Sequence, residues 1–191
     1  MCNSTRLAAL KQNPLWDFAL DFYTRPEVEA ACLCLQDEAK VDVCELLFHA
    51  WLYCHGLEAE PEALADERQA RTCWQQEVTA VLRGLRRALK GSAQTNEGVA
   101  ELRATLKRAE LLAERENLQR WQQWAILPEI SLPRRLKEVA QWPCSSAYWL
   151  QLQIFSPNFH SLSEDACEER LSVKCAWKVL GDQLDRFTRA R

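Results

Sequence analysis

The run Asp42-Val43-Cys44-Glu45-Leu46-Leu47-Phe48-His49-Ala50-Trp51-Leu52-Tyr53-Cys54 decides the fold class. Asp42 followed three residues later by Glu45 is a capping-box pattern: a short polar side chain at the cap, then a Glu that can reach back to it. The helix behind this cap is apolar nearly all round, and such a helix belongs at the centre of a bundle. It is too short to span a bilayer, and Glu45 and His49 interrupt it. Gly56 is a plausible stop.

The same kind of signal recurs on either side. Asn13 and Pro14 read as an N-cap and first helical position, followed by the apolar Leu15 to Tyr23. Pro26 disfavours helical geometry at Arg25, and a second helix is expected from Pro26 with the stripe Val28, Ala31, Cys32 and Leu35. Glu58 to Asp66 is acidic and reads as a loop with a short helical turn. A long helix then places Trp74, Val78, Val81, Leu82, Leu85 and Leu89 on one face. After the polar connector Gly91 to Gly98, another runs from about Val99 to Trp124, with the stripe Leu102, Leu106, Ala109 and Ala113. Two long helices and a short loop predict an antiparallel hairpin of about residues 66–90 and 97–125. Beyond it, Pro128, Pro133, Pro143 and Pro157 divide the chain into shorter pieces. Ser163 reads as the N-cap of a last helix, with Leu162 and Cys167 as a hydrophobic staple, and that helix carries Val173, Trp177, Leu180, Leu184 and Phe187.

Composition agrees with this reading. Only 5 Gly and 7 Pro punctuate 191 residues, so the elements between them must be long, which favours helices over a β-sandwich. The expected fold is an all-α bundle of about six or seven helices with the long hairpin. Residues 1–125 are read as one helical domain and 126–191 as a C-terminal extension packed on or beside it. A net charge of −3 with 27% charged residues argues against wholesale binding to nucleic acid or anionic membrane. The opening MCNSTRLAAL lacks the basic and apolar regions of a secretory leader. With 9 Cys and no leader, the chain is expected in a reducing cytoplasm with its thiols free.

A resemblance rests on a string of motifs: Trp16-Asp17-Phe18-Ala19, Phe22-Tyr23, Pro26, Ala31-Cys32-Leu33, Leu35-Gln36-Asp37, Asp42-Val43, Leu46-Leu47-Phe48 and Trp51-Leu52. Leu85-Arg86-Arg87, Leu89-Lys90, Glu110-Leu111 and Ala113-Glu114-Arg115 extend it. Over about residues 13–125 the chain resembles a bacterial family known only as a conserved domain of unknown function. The family pattern has Asn after Asp-Val, where Cys44 stands, and Gly two residues before the Asp, where Lys40 stands. The resemblance implies a helical fold and no activity, cofactor or partner.

Four groups of residues could carry chemistry. The polar set Gln36, Asp37, Asp42, Glu45 and His49 surrounds the central helix, and Glu45 and His49, four apart, share a face, as an acid–base or metal pair requires. The plainer account is that Asp42 and Glu45 cap the helix while His49 makes one hydrogen bond in the core. Cys32, Cys34, Cys44, Cys54 and His55 lack the C-x-x-C spacing of zinc sites, and Cys32 and Cys34 diverge by about 200° on a helix. Cys44, in a first helical turn, could be an activated nucleophile, although a buried structural thiol is the simpler reading. The basic ridge Arg83, Arg86, Arg87, Lys90, Arg103, Lys107 and Arg108 could meet phosphates or an acidic protein, or be a solvated face that complements a helix dipole. Among 8 Trp, Trp16, Trp51, Trp74 and Trp177 sit on apolar stripes. Trp121, Trp124, Trp142 and Trp149 do not, and are candidate interface aromatics.

No phosphate-binding glycine loop, G-x-S-x-G elbow, H-E-x-x-H or D-D-x-x-D cluster occurs. No catalytic residue, cofactor or metal is therefore assigned. The first functional reading is a non-enzymatic protein–protein interaction module that does not enter a membrane. The alternatives are a small-ligand-binding protein or enzyme using the Asp37, Asp42, Glu45 and His49 region, or RNA or polyanion binding through the ridge.

Overall fold

The computed structural model describes residues 4–127, 135–139, 145–155 and 171–189. Among these the chain is an all-α bundle with one short antiparallel strand pair. There are eight helices when α5 and α6 are taken as one, against the six or seven expected from sequence.

Helix α4 (Val43–Cys54) is the centre. Asp42 caps it, its carboxylate accepting from the backbone N–H of Cys44 at 2.8 Å and of Glu45 at 3.4 Å. Every residue from Cys44 to Tyr53 is buried. Phe48 stacks on Trp121 with ring centroids 4.7 Å apart and meets Trp124 edge-on, geometries that add to the area such rings bury.

Helix α1 (Ser4–Gln12) precedes α2 (Leu15–Tyr23). Asn13 does not cap α2: its N–H and its side chain both donate to the Ala9 carbonyl and close α1. Pro14, extended at φ −55°, holds the cap position instead. Helix α3 (Val28–Glu38) begins two residues after Pro26, because Glu27 sits in the left-handed region at φ 65°. Lys40 takes the same region at φ 58° just past the end of α3, and the next N–H, that of Val41, bonds back to Leu35.

The acidic stretch after Gly56 is not a loop. Strand β1 (Leu57–Ala59) pairs antiparallel with β2 (Leu136–Glu138), Leu57 opposite Glu138, and Lys137 lies across Glu58 and Glu60. Helix α5 (Pro61–Trp74) starts at once, with proline in its first turn. It passes through a π-turn (Gln75–Thr79) into α6 (Ala80–Ala88). A short 3₁₀ turn then leads to α7 (Glu97–Ile126), capped by Asn96. This is the expected hairpin, and its outer half stands clear of the bundle. No residue of α6 is buried, and Val81, Leu85 and Leu102 are each about half exposed.

Helices α8 (Ser146–Phe155) and α9 (Leu171–Arg189) complete the bundle. Val173, Trp177, Leu180, Leu184 and Phe187 are all buried, in one core with residues of α2, α3 and α4. Phe187 meets Phe18 and Phe22 edge-on. The expected Ser163 cap and its staple lie outside the described residues. No helix among those described is long and apolar enough to cross a membrane.

Candidate functional site: a groove beside the hairpin

A groove of about 870 Å³ lies between the hairpin and the bundle. Helix α2 contributes Trp16, Ala19, Leu20 and Tyr23, and α3 contributes Glu29, Leu33 and Gln36. The floor is the first turns of α4, with Asp42, Val43, Cys44 and Leu47. The opposite wall is the hairpin: Gln75 of the π-turn, Arg83, Arg86 and Arg87 of α6, and a long row of α7 from Glu101 to Leu118. Leu20, Leu33 and Leu111 are each about half exposed, so the apolar lining is open to solvent.

The hairpin wall is braced by ion pairs. Arg83 donates to Glu110 and Glu114, both at 2.7 Å, and Arg86 donates to Glu110. Burial alone would raise the Glu110 carboxyl, but the bonds from Arg86 and Arg83 hold it below the usual carboxylate range. Burial raises Glu114, with Arg83 opposing. The π-turn matters here: one extra residue in a helical turn rotates all that follows by about 100°. Besides the packing of α7 on α4, two contacts reach from the hairpin to the bundle across the groove. Arg87 meets Asp37 at 3.4 Å across the mouth, and the Arg115 guanidinium lies 5.5 Å from the Trp16 ring centre.

The floor is polar but chemically quiet. Burial, and then the charge of Glu45, push the Asp42 carboxyl up to about 6. Burial pushes the Cys44 thiol well up, and Asn117 stands beside it. Burial raises the Cys32 thiol to about 12. A nucleophilic cysteine needs a lowered pKa, so the raised Cys44 thiol supports the simpler reading, a buried structural thiol, over an activated nucleophile. Among the described residues no group of three or more His, Cys, Asp and Glu converges to hold a metal.

The five-residue polar set does not form one site. Gln36 and Asp42 line the groove and Asp37 lies at its mouth. Glu45 and His49 face the other way, because Glu45 is about 200° round α4 from both Val43 and Leu47. Glu45 does not complete the capping box; it pairs with Arg68, whose guanidinium also donates to the Gln153 carbonyl. Burial would raise Glu45, but His49 and Arg68 outweigh it and lower it. His49 is fully buried 3.6 Å from Glu45, too far for a hydrogen bond, and burial lowers its pKa. It packs edge-on to Phe48 and Trp149.

The basic ridge is likewise divided. Arg83 and Arg86 are engaged by Glu110, because residues about 25 apart oppose one another across the hairpin, and Arg87 is engaged by Asp37 of α3. Lys107 and Arg108 line the groove; Lys90 and Arg103 do not. Of the candidate interface aromatics, Trp121, Trp124 and Trp149 are buried in the core and present no surface to a partner. Trp142 lies outside the described residues. The residues that shape the groove without having been named as site candidates are Trp16, Leu20, Leu33, Leu111, Glu110 and Glu114. The signal for one wall was the seven-residue spacing of Ala104, Leu111 and Leu118.

Fold and groove together define a helical bundle with an open, charge-rimmed apolar cleft. The chain belongs to the family described as a protein of unknown function (DUF2390), whose model matches residues 14–121. Every described residue that lines the groove lies within that match, whereas α8 and α9 lie beyond it. No curated protein and no solved structure matches the chain.

Proposed function

We propose that this is a non-enzymatic protein–protein interaction module of the cytoplasm, and that the groove is its docking surface. The observation that carries the reading is the open lining: Leu20, Leu33 and Leu111, each about half exposed, border one cleft of about 870 Å³. Apolar side chains gathered in one concave place, and rimmed by charge, mark an interaction site, whereas single exposed leucines mean little. Free thiols at Cys32, Cys34, Cys44, Cys73 and Cys175 suit a reducing compartment. The raised thiols and the dispersed polar set speak against catalysis at the floor.

The test is position-specific crosslinking in cells of the native host. A photoreactive side chain at position 33 or 111 is expected to give one discrete protein adduct, abolished by Leu20→Asp. The same group in place of Leu171, which is 77% exposed and away from the groove, is expected to give none. Equal labelling from all three positions, or none from the groove, would overturn the reading.

A further inference from the structure

Resting on that docking reading, we propose that the occupant is a single amphipathic α-helix of a partner protein, acidic along the flank that meets the hairpin and basic along the flank that meets α2 and α3.

The walls have the period of a helix seam. Helix α7 lines the groove with Ala104, Leu111 and Leu118, seven residues apart. Helix α2 offers Trp16, Leu20 and Tyr23 at i, i+4 and i+7, and α3 offers Glu29, Leu33 and Gln36 at the same intervals. Rows at these spacings are what one helix presents to another. Here they line a space that no described element fills.

The volume agrees. A helix about 10 Å across, rising 1.5 Å per residue, occupies roughly 120 Å³ per residue. A groove of about 870 Å³ therefore takes roughly seven enclosed residues, or about 15 embedded to half their width. A small molecule is normally covered over most of its surface by its site. This cleft leaves its leucines half open, which suits an object with a solvent face of its own. Helix-in-groove docking uses such i, i+4 and i+7 anchors.

Charge sets the flanks. Among the described residues, all the cations that line the groove, Arg83, Arg86, Arg87, Lys107 and Arg108, stand on the hairpin. They outnumber Glu101, Glu110 and Glu114 of the same wall, while the opposite wall and floor carry Glu29 and Asp42 and no cation. Lys107 and Arg108 are exposed, and among the described residues the one side-chain hydrogen bond to either joins Arg108 to Thr105 at 3.3 Å. A carboxylate on the incoming helix would also replace Asp37 on Arg87. Charges at such rim positions choose the partner and fix its direction more than they add affinity.

The experiment uses three synthetic 16-residue peptides with the same leucine stripe, titrated against the full chain by fluorescence anisotropy. One carries Glu on one flank and Lys on the other, one Glu on both, one Lys on both. The mixed peptide is expected to bind about tenfold more tightly than either uniform one, as two or three rim pairs allow. The double variant Lys107→Glu, Arg108→Glu is expected to keep its circular dichroism and to prefer the all-Lys peptide. Leu111→Glu is expected to lose all three. Equal binding of the three peptides, lost with Leu111→Glu, would overturn the charge assignment and leave the docking groove standing. Failure of all three to bind would overturn the helical occupant. If the free chain also sedimented as a dimer that Leu111→Glu dissociates, a second copy would be the occupant and the groove would still be a docking surface.

Discussion

Lys40 is held at φ 58°, where a Cβ crowds the backbone and glycine is at ease. Its side chain offers partial compensation, the ammonium donating to the Asp37 carbonyl at 2.7 Å. That bond is solvent-exposed, and an exposed bond of this kind contributes little. Lys40→Gly is therefore expected to stabilise the fold by about 0.5–1 kcal/mol, the usual preference at a left-handed helix end. The thermal midpoint should rise by about 2 °C; a fall would mean that the lysine tail contributes more than the strain costs. The neighbouring Asp42 cap was readable from its spacing to Glu45. The fate of Glu45 was not, because Arg68 reaches it from another helix and sequence spacing does not report such a contact.

Two glycines in helix interiors separate local preference from packing at the scale of elements. Gly84 of α6 has nothing within 4 Å of where a Cβ would stand. Gly181 of α9 has the Cβ and backbone nitrogen of Ala147, on α8, at 2.7 Å, and its carbonyl accepts from the Ser146 hydroxyl at 3.0 Å. Gly84→Ala is expected to stabilise by up to about 1 kcal/mol, the helix-propensity difference. Gly181→Ala must push α8 and α9 apart and is expected to cost about 1–3 kcal/mol, as overpacking does. Urea midpoints of the two variants should move in opposite directions; a stabilised Gly181→Ala would show that α8 and α9 do not cross this closely. Helices were readable from sequence where one apolar face is buried, as in α4 and α9. The β1–β2 pair was not, since three-residue strands joined across 76 positions of chain carry no local pattern. Nor was the π-turn, because Gln75 to Thr79 has ordinary helical composition and its register is set by what α6 meets on α7.

The whole molecule divides into a dense centre and a thin arm, and the groove exists because of that division. Tryptophans 121, 124 and 149 looked available for a partner only while it was unknown that α7, α8 and α9 close around α4. Conversely, Leu33 and Leu111 fell outside the stripes read for their helices, and their gathering with Leu20 follows from the arm standing off the bundle. A gap between elements is a property of their arrangement, so a sequence read one helix at a time shows its walls and not the space. The division also predicts dynamics. Amides of α4 lie under buried aromatic rings and should exchange with solvent only through global unfolding. Helix α6 buries no residue and rests on α7 through Arg83, Arg86 and partly exposed apolar groups, so residues 80–105 should open and exchange at a lower free energy. Hydrogen exchange followed by mass spectrometry is expected to show this order in the free chain. Adding the mixed-charge peptide should slow exchange in the arm and leave α4 unchanged, because a bound helix would add the apolar neighbour that the arm lacks. Uniform protection of arm and core in the free chain would mean that the hairpin is as stable as the bundle. Protection by peptide confined to α9 would place binding on the other side of the molecule.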